Sequence, residues 1–76
     1  MEERKPLSHT EIHYLRAIQD LLEDQGYARN TDIAKATERT RGSVTVALNR
    51  LKRDGLIEFD KNDFVKLTTL GRSLVT

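Results

Sequence analysis

The chain contains no cysteine. Disulfide staples and thiolate-bound metals are thereby excluded, and the composition suits a reducing compartment. No apolar run approaches the ~20 residues that a membrane span requires. The N-terminus shows no signal-peptide pattern, so a cytoplasmic location is expected. A phosphate-cradling glycine loop and a G-x-S-x-G nucleophile elbow are also missing. The histidines and acids of the first helical segment fall on one convex surface rather than in a pocket. Together these absences argue against an enzyme.

No internal repeat, linker or low-complexity segment divides the 76 residues, and a single domain over 1–76 is expected. A chain this short buries only about 60% of the surface its unfolded form exposes, so its core must be small. Residues 1–7 begin with six that are mostly polar and are expected to be disordered.

What is present is a division of charge. The net charge is only +1. Residues 8–25, however, carry four acidic side chains against one basic. Residues 38–54 carry Arg39, Arg41, Arg50, Lys52 and Arg53 against Glu38 and Asp54. One segment is acidic and the other basic. Such a stretch suits a polyanion, and it equally suits a solvated helix face.

Periodicity assigns the elements. Ser8-His9-Thr10-Glu11 is an S-x-x-E capping box, with Leu7 and Ile12 placed for a hydrophobic staple. Ile12, Tyr14, Leu15, Ile18, Leu21 and Leu22 share one half of a helical wheel, which predicts a helix over 8–25 stopped at Gly26. Residues 27–29 read as a short extended segment. Asn30 or Thr31 caps a brief helix over 31–37, with Ile33, Ala34 and Ala36 inward. After a turn at 38–40, Thr40 caps a third helix over 41–54, buried along Val44, Ala47, Leu48 and Leu51. The period then changes to two. Ile57 and Phe59, then Val65 and Leu67, flank Asp60-Lys61-Asn62-Asp63, the pattern of a β-hairpin. Thr68-Thr69-Leu70-Gly71 opens a last helix, whose Leu70, Leu74 and Val75 are expected in the core. The order predicts an α+β fold, a small winged helix–turn–helix.

Several segments recur together in a way that single motifs do not: Tyr14-Leu15-Arg16-x-Ile18, Gly26-Tyr27-Ala28-Arg29 and Asp32-Ile33-Ala34 come first. Ser43-Val44-Thr45, Leu51-x-x-Asp54-Gly55-Leu56-Ile57 and Leu67-Thr68-x-x-Gly71 follow. This ordered set, spanning residues 10–74, resembles the N-terminal domain of the diphtheria-toxin-repressor (iron-dependent repressor) family, including its manganese-transport-regulator branch. The resemblance implies a metal-responsive, dimeric repressor of palindromic operators. In that family most metal ligands lie in a dimerisation region beyond the winged helix. Of the ligands on the first helix, one falls at His13, and a glutamate of the manganese branch falls at Arg16, where a cation opposes metal. His9 and His13, four apart on a helix, make at most a weak open site. No metal and no cofactor are expected.

In a helix–turn–helix the second helix of the pair enters the major groove. The outer side of helix 41–54 carries Gly42, Val46, Asn49 and Arg53, flanked by Ser43, Thr45 and Arg50. Ser43 and Asn49 suit bases or phosphates, and Arg41 and Arg50 offer bidentate forks for guanine or phosphate. Gly42 admits a close backbone approach. Val46 is either an ordinary exposed valine or a contact to a thymine methyl. Arg29, Thr31, Thr40, Arg53, Lys61 and Lys66 are expected phosphate donors, assisted by helix N-termini. The wing is acidic around Lys61. The function expected is sequence-specific binding of double-stranded DNA by a repressor-like transcriptional regulator, with a homodimer left open. The competing reading is a winged helix that binds protein through its acidic first helix and wing.

Overall fold

A computed structural model describes residues 7–75. The elements are α1 (His9–Gln25), α2 (Asn30–Thr37), α3 (Arg41–Arg53), β1 (Ile57–Phe59), β2 (Val65–Leu67) and α4 (Thr69–Ser73). This is the winged helix–turn–helix order that the periodicity predicts. Of the segment expected to be disordered, residues 1–6 lie outside the described residues. Leu7 is partly buried against the core, so order begins at least one residue earlier than expected.

The start of α1 follows from its capping box. The Ser8 hydroxyl accepts from the Glu11 amide at 3.1 Å, and the Glu11 carboxylate accepts from the Ser8 amide at 3.0 Å. Two orphan donors are thus satisfied reciprocally. Gly26 ends the helix in the left-handed region (φ 84°), its N–H donating to the Leu22 carbonyl. Tyr14, Leu15, Ala17 and Ile18 are buried on the inner face.

The start of α2 differs from expectation. Arg29, not Asn30 or Thr31, occupies the cap position, and its side chain makes no capping bond. Asp32 closes the turn instead, accepting from the Arg29 amide at 3.3 Å and from the Arg29 guanidinium at 3.1 Å. Gln25 adds a third donor to the same carboxylate. Ile33 and Ala34 are buried as expected, but Ala36 is exposed and Thr37 takes its inward place. The Thr37 hydroxyl is satisfied by the Ile33 carbonyl at 2.8 Å. Glu38 then turns the chain with φ 57°. A left-handed glutamate is unusual, since its Cβ crowds the following carbonyl.

Thr40 caps α3, accepting from the Ser43 amide at 3.1 Å. The helix stops at Arg53, one residue short of the predicted end. Gly55 and Leu56 then lead into an antiparallel hairpin in which Ile57 faces Leu67 and Phe59 faces Val65. The Asp60 carboxylate holds its tip, accepting from the amides of Asn62 and Phe64. The extended residues 27–29 lie against β2, where the Val65 amide donates to the Ala28 carbonyl at 2.8 Å.

One core unites these pieces. Leu15, Ile18, Ile33, Val44, Leu51, Leu56, Ile57 and Val65 are its largest fully buried side chains. At the C-terminal end only Val75 joins it, while Leu70 and Leu74 are 41% and 38% exposed. The core role expected for these two leucines does not hold: α4 is five residues long and presents one turn to the core. Thr68 fastens α4 by donating to the Gly55 carbonyl at 2.7 Å and capping the Gly71 amide. Gly71 itself sits on the Leu56 carbonyl, and a Cβ there would collide with that backbone oxygen.

These contacts make the fold sensitive at two positions. Gly71→Ala forces backbone apart and is expected to destabilise the fold by about 1–3 kcal/mol in urea unfolding; an unchanged midpoint contradicts the close approach. Asp32 is held below its ordinary carboxylate range, chiefly by its hydrogen bond to Arg29 and also by the charge of that guanidinium. A depressed folded-state value means the contribution is complete above the unfolded value. It is lost as pH falls below about 4 and through the lower folded value. Asp32→Ala is therefore expected to cost about 1 kcal/mol near neutrality, with the difference from the parent vanishing in acid melts.

Candidate nucleic-acid interface

The orientation of α3 is set by its buried row. Val44, Leu48 and Leu51 are between 0% and 3% exposed. At 100° per residue the opposite ridge is Gly42, Val46, Asn49 and Arg53, and all four are exposed. Arg41, Thr45 and Lys52 fall on one flank of that ridge, Ser43 and Arg50 on the other; these five are exposed as well. Charge follows the same division. The first turn has no acid, and the last turn carries Arg50, Lys52 and Arg53, which complement the negative end of the helix dipole.

Two struts fix α3 relative to its neighbours. Asn30, at the start of α2, donates its side-chain amide to the Thr45 hydroxyl at 2.8 Å and to the Arg41 carbonyl at 3.4 Å. The Thr45 hydroxyl donates in turn to the Arg41 carbonyl at 2.9 Å. At the far end, the Lys52 ammonium stands 5.4 Å from the centre of the Phe59 ring in β1, within cation–π range. Between the struts lies a shallow groove of about 440 Å³ bounded by α3, the start of α2 and the wing. Its walls include Asn30, Thr45, Asn49 and Lys52.

The expected contact residues divide accordingly. Gly42, Val46, Asn49 and Arg53 are brought together on one ridge, with Ser43 and Arg50 beside it. Thr45 is tied to Asn30, so its hydroxyl proton is already committed to the Arg41 carbonyl. Thr40 likewise spends its hydroxyl on capping, donating to the Ser43 hydroxyl and accepting from the Ser43 amide. Arg29 begins α2 beside Thr31, half its guanidinium held by Asp32. That guanidinium also lies 5.3 Å from the centre of the Tyr27 ring, which stacks on Phe64. Its pKa is raised, mainly by the hydrogen bond to Asp32. Lys61 is exposed at the wing tip next to Asp60, and Lys66 stands across the ladder from Glu58. Each wing lysine therefore has an acid as a neighbour.

Three contributors are not evident from the sequence. Lys52 has the pattern of a solvated helix end, yet it reaches Phe59. Asn30 has that of a cap, yet it joins two helices. Asp32 stands out only as part of a motif. A signal for Asp32 is nevertheless present: an acid three residues after an extended residue is the second half of a capping box. The other two depend on contacts between elements.

Comparison with known proteins agrees with this geometry. Residues 6–65 match the family described as iron dependent repressor, N-terminal DNA binding domain. The transcriptional regulator MntR of Geobacillus kaustophilus is 36% identical over 61 residues, which are 80% of this chain and 43% of that protein. The iron-dependent repressor IdeR of Mycobacterium leprae is also 36% identical over 61 residues, covering 26% of its length. Among solved structures, Staphylococcus aureus MepR superposes with a TM-score of 0.81 at 32% identity, over 91% of this chain and 51% of that one. IdeR of T. acidophilum gives 0.81 at 26% identity, over 95% and 33%. The chain thus spans less than half the length of these curated relatives.

Iron dependence, carried in one relative's name, requires a set of ligands. Here α1 offers His9 and His13, with the cationic Arg16 one turn on. Among the described residues no three His, Cys, Asp or Glu side chains gather where they could hold a metal ion. The residues present do not fit one. Fold, matched span and relatives nevertheless agree: the chain belongs to the iron-dependent repressor family, as a member of its N-terminal DNA-binding domain.

Proposed function

We propose that this chain binds double-stranded DNA by laying α3 in the major groove, and that it is the DNA-reading part of a repressor-like transcriptional regulator. The observation that carries this reading is the outer ridge of α3. A helix held firmly by one buried row presents a polar and cationic ridge that its own fold leaves exposed, flanked by Arg41 and Arg50. In this fold that ridge is the part shaped for the groove. Asn49 and the arginines provide base-edge or phosphate contacts. Arg29, Thr31 and Thr40 stand at helix starts, where backbone amides favour phosphate. The acidic neighbours of Lys61 and Lys66 reduce the share of affinity that the wing supplies.

One such domain reads a half-site. Two copies related by a twofold axis would read a palindrome and gain affinity by joining two contacts. The same reading puts the chain in the cytoplasm, with the DNA. Among the described residues no helix is long and apolar enough to cross a membrane.

The test is fluorescence anisotropy of a labelled duplex over a salt series, with the parent chain and an Arg50→Ala/Arg53→Ala variant. Binding should weaken steeply with salt, and the variant's log–log slope should be shallower by about 2, the value for two lost phosphate contacts. An absence of binding at about 50 mM salt would sink the proposal. It would transfer the function to protein contact through the acidic face of α1.

A further inference from the structure

Gly42 lacks the structural reason that each other glycine has. Gly26 and Gly55 adopt positive φ, and Gly71 abuts the Leu56 carbonyl. Gly42 lies inside α3 with ordinary helical geometry, and nothing stands within 4 Å of the place a Cβ would take. Alanine would fit there and would favour the helix. One turn on, Val46 is 62% exposed, the most exposed of the large apolar side chains. Residues four apart on a helix are surface neighbours. So a missing side chain, which weakens the helix, adjoins an apolar side chain left in water.

Neither feature serves the fold, and a single external surface accounts for both. Resting on the DNA reading above, the geometry points to Gly42 and Val46 as a notch and knob that receive the 5-methyl group of a thymine in the major groove. Gly42 lets the base-pair edge approach the helix backbone. Val46 supplies the apolar contact. The chemistry selects the base: the thymine methyl is the one apolar group that the four bases display in the major groove. Neither side chain has a donor or acceptor with which to read the polar edges. Asn49, three residues beyond Val46, carries the bidentate amide that matches adenine. The ridge as a whole therefore suits a half-site containing A·T pairs. An isolated exposed valine is common on protein surfaces; its pairing with an otherwise unexplained glycine is what distinguishes this one.

The test couples a protein group to a DNA group. A random duplex library is enriched with the whole chain, and the enriched duplex is remade with deoxyuridine replacing each thymidine in turn. That exchange removes the methyl alone. At one position it should weaken binding about fourfold, the value of one buried methyl-sized group. Val46→Ala should weaken binding by a similar factor, and the two changes together by no more than either alone. Gly42→Ala should raise the thermal midpoint by up to about 4 °C while weakening binding about tenfold through steric intrusion. A residue serving only the fold does not move these two quantities in opposite senses. If the enriched duplex binds but no deoxyuridine position couples to Val46, the inference is overturned and the DNA reading stands. It is overturned in the same way if Gly42→Ala binds as tightly as the parent, or if duplexes bind with none enriched. If no duplex binds at low salt, the DNA reading itself fails and takes this inference with it.

Discussion

Burial of Val44, Leu48 and Leu51 decides which way α3 faces, and the candidate interface exists only because of that orientation. Each of these side chains is worth about 1.5–3 kcal/mol when fully buried. Turning the helix by one residue would withdraw the whole row from the core and swing Val46 and Arg53 toward it. Desolvating an unpaired guanidinium is costly, so the alternative rotation is disfavoured from both sides. The Asn30 and Lys52 contacts then fix the helix at its two ends, against α2 and against the wing. Sequence pattern, packing and surface chemistry are here one constraint seen at three scales.

Charge is arranged around the same axis. The outer side of α1 carries Asp20, Glu23 and Asp24 and is exposed, whereas the basic residues concentrate on α3. A net charge of +1 conceals this separation. Approach to a polyanion is steered by the local field rather than by the sum. The Phe64–Tyr27–Arg29–Asp32 ladder adds a different element, because it holds a cation in place at the start of α2 before any partner arrives. A guanidinium already ordered loses less freedom on making a phosphate contact.

Most of the architecture is legible in the sequence because it rests on local signals. The Ser8-x-x-Glu11 box, the Thr40 cap, the stop at Gly26 and the switch from helical to alternating period at Gly55 each act within a few residues. What the pattern misplaces depends on neighbours distant in sequence. Ala36 and Thr37 sit at adjacent positions, and only packing against the rest of the chain decides that the threonine turns inward with its hydroxyl satisfied. Leu70 and Leu74 have the spacing of a buried face, but α4 is too short to present both to the core. Arg29 is a poor capping residue by type, and Asp32 compensates from three positions away. At the candidate interface the ridge itself can be read from helical spacing. The engagement of Thr45 by Asn30, and of Lys52 by Phe59, cannot, since each joins two elements.

The ridge of α3, rather than the acidic face of α1, is the surface proposed to meet the partner. Backbone amide NMR of the labelled chain, titrated with a short duplex, tests this most directly. Chemical-shift changes should concentrate over residues 41–53 and at the start of α2, with smaller changes in the wing. Changes confined to the outer face of α1, around Asp20 and Asp24, would contradict it.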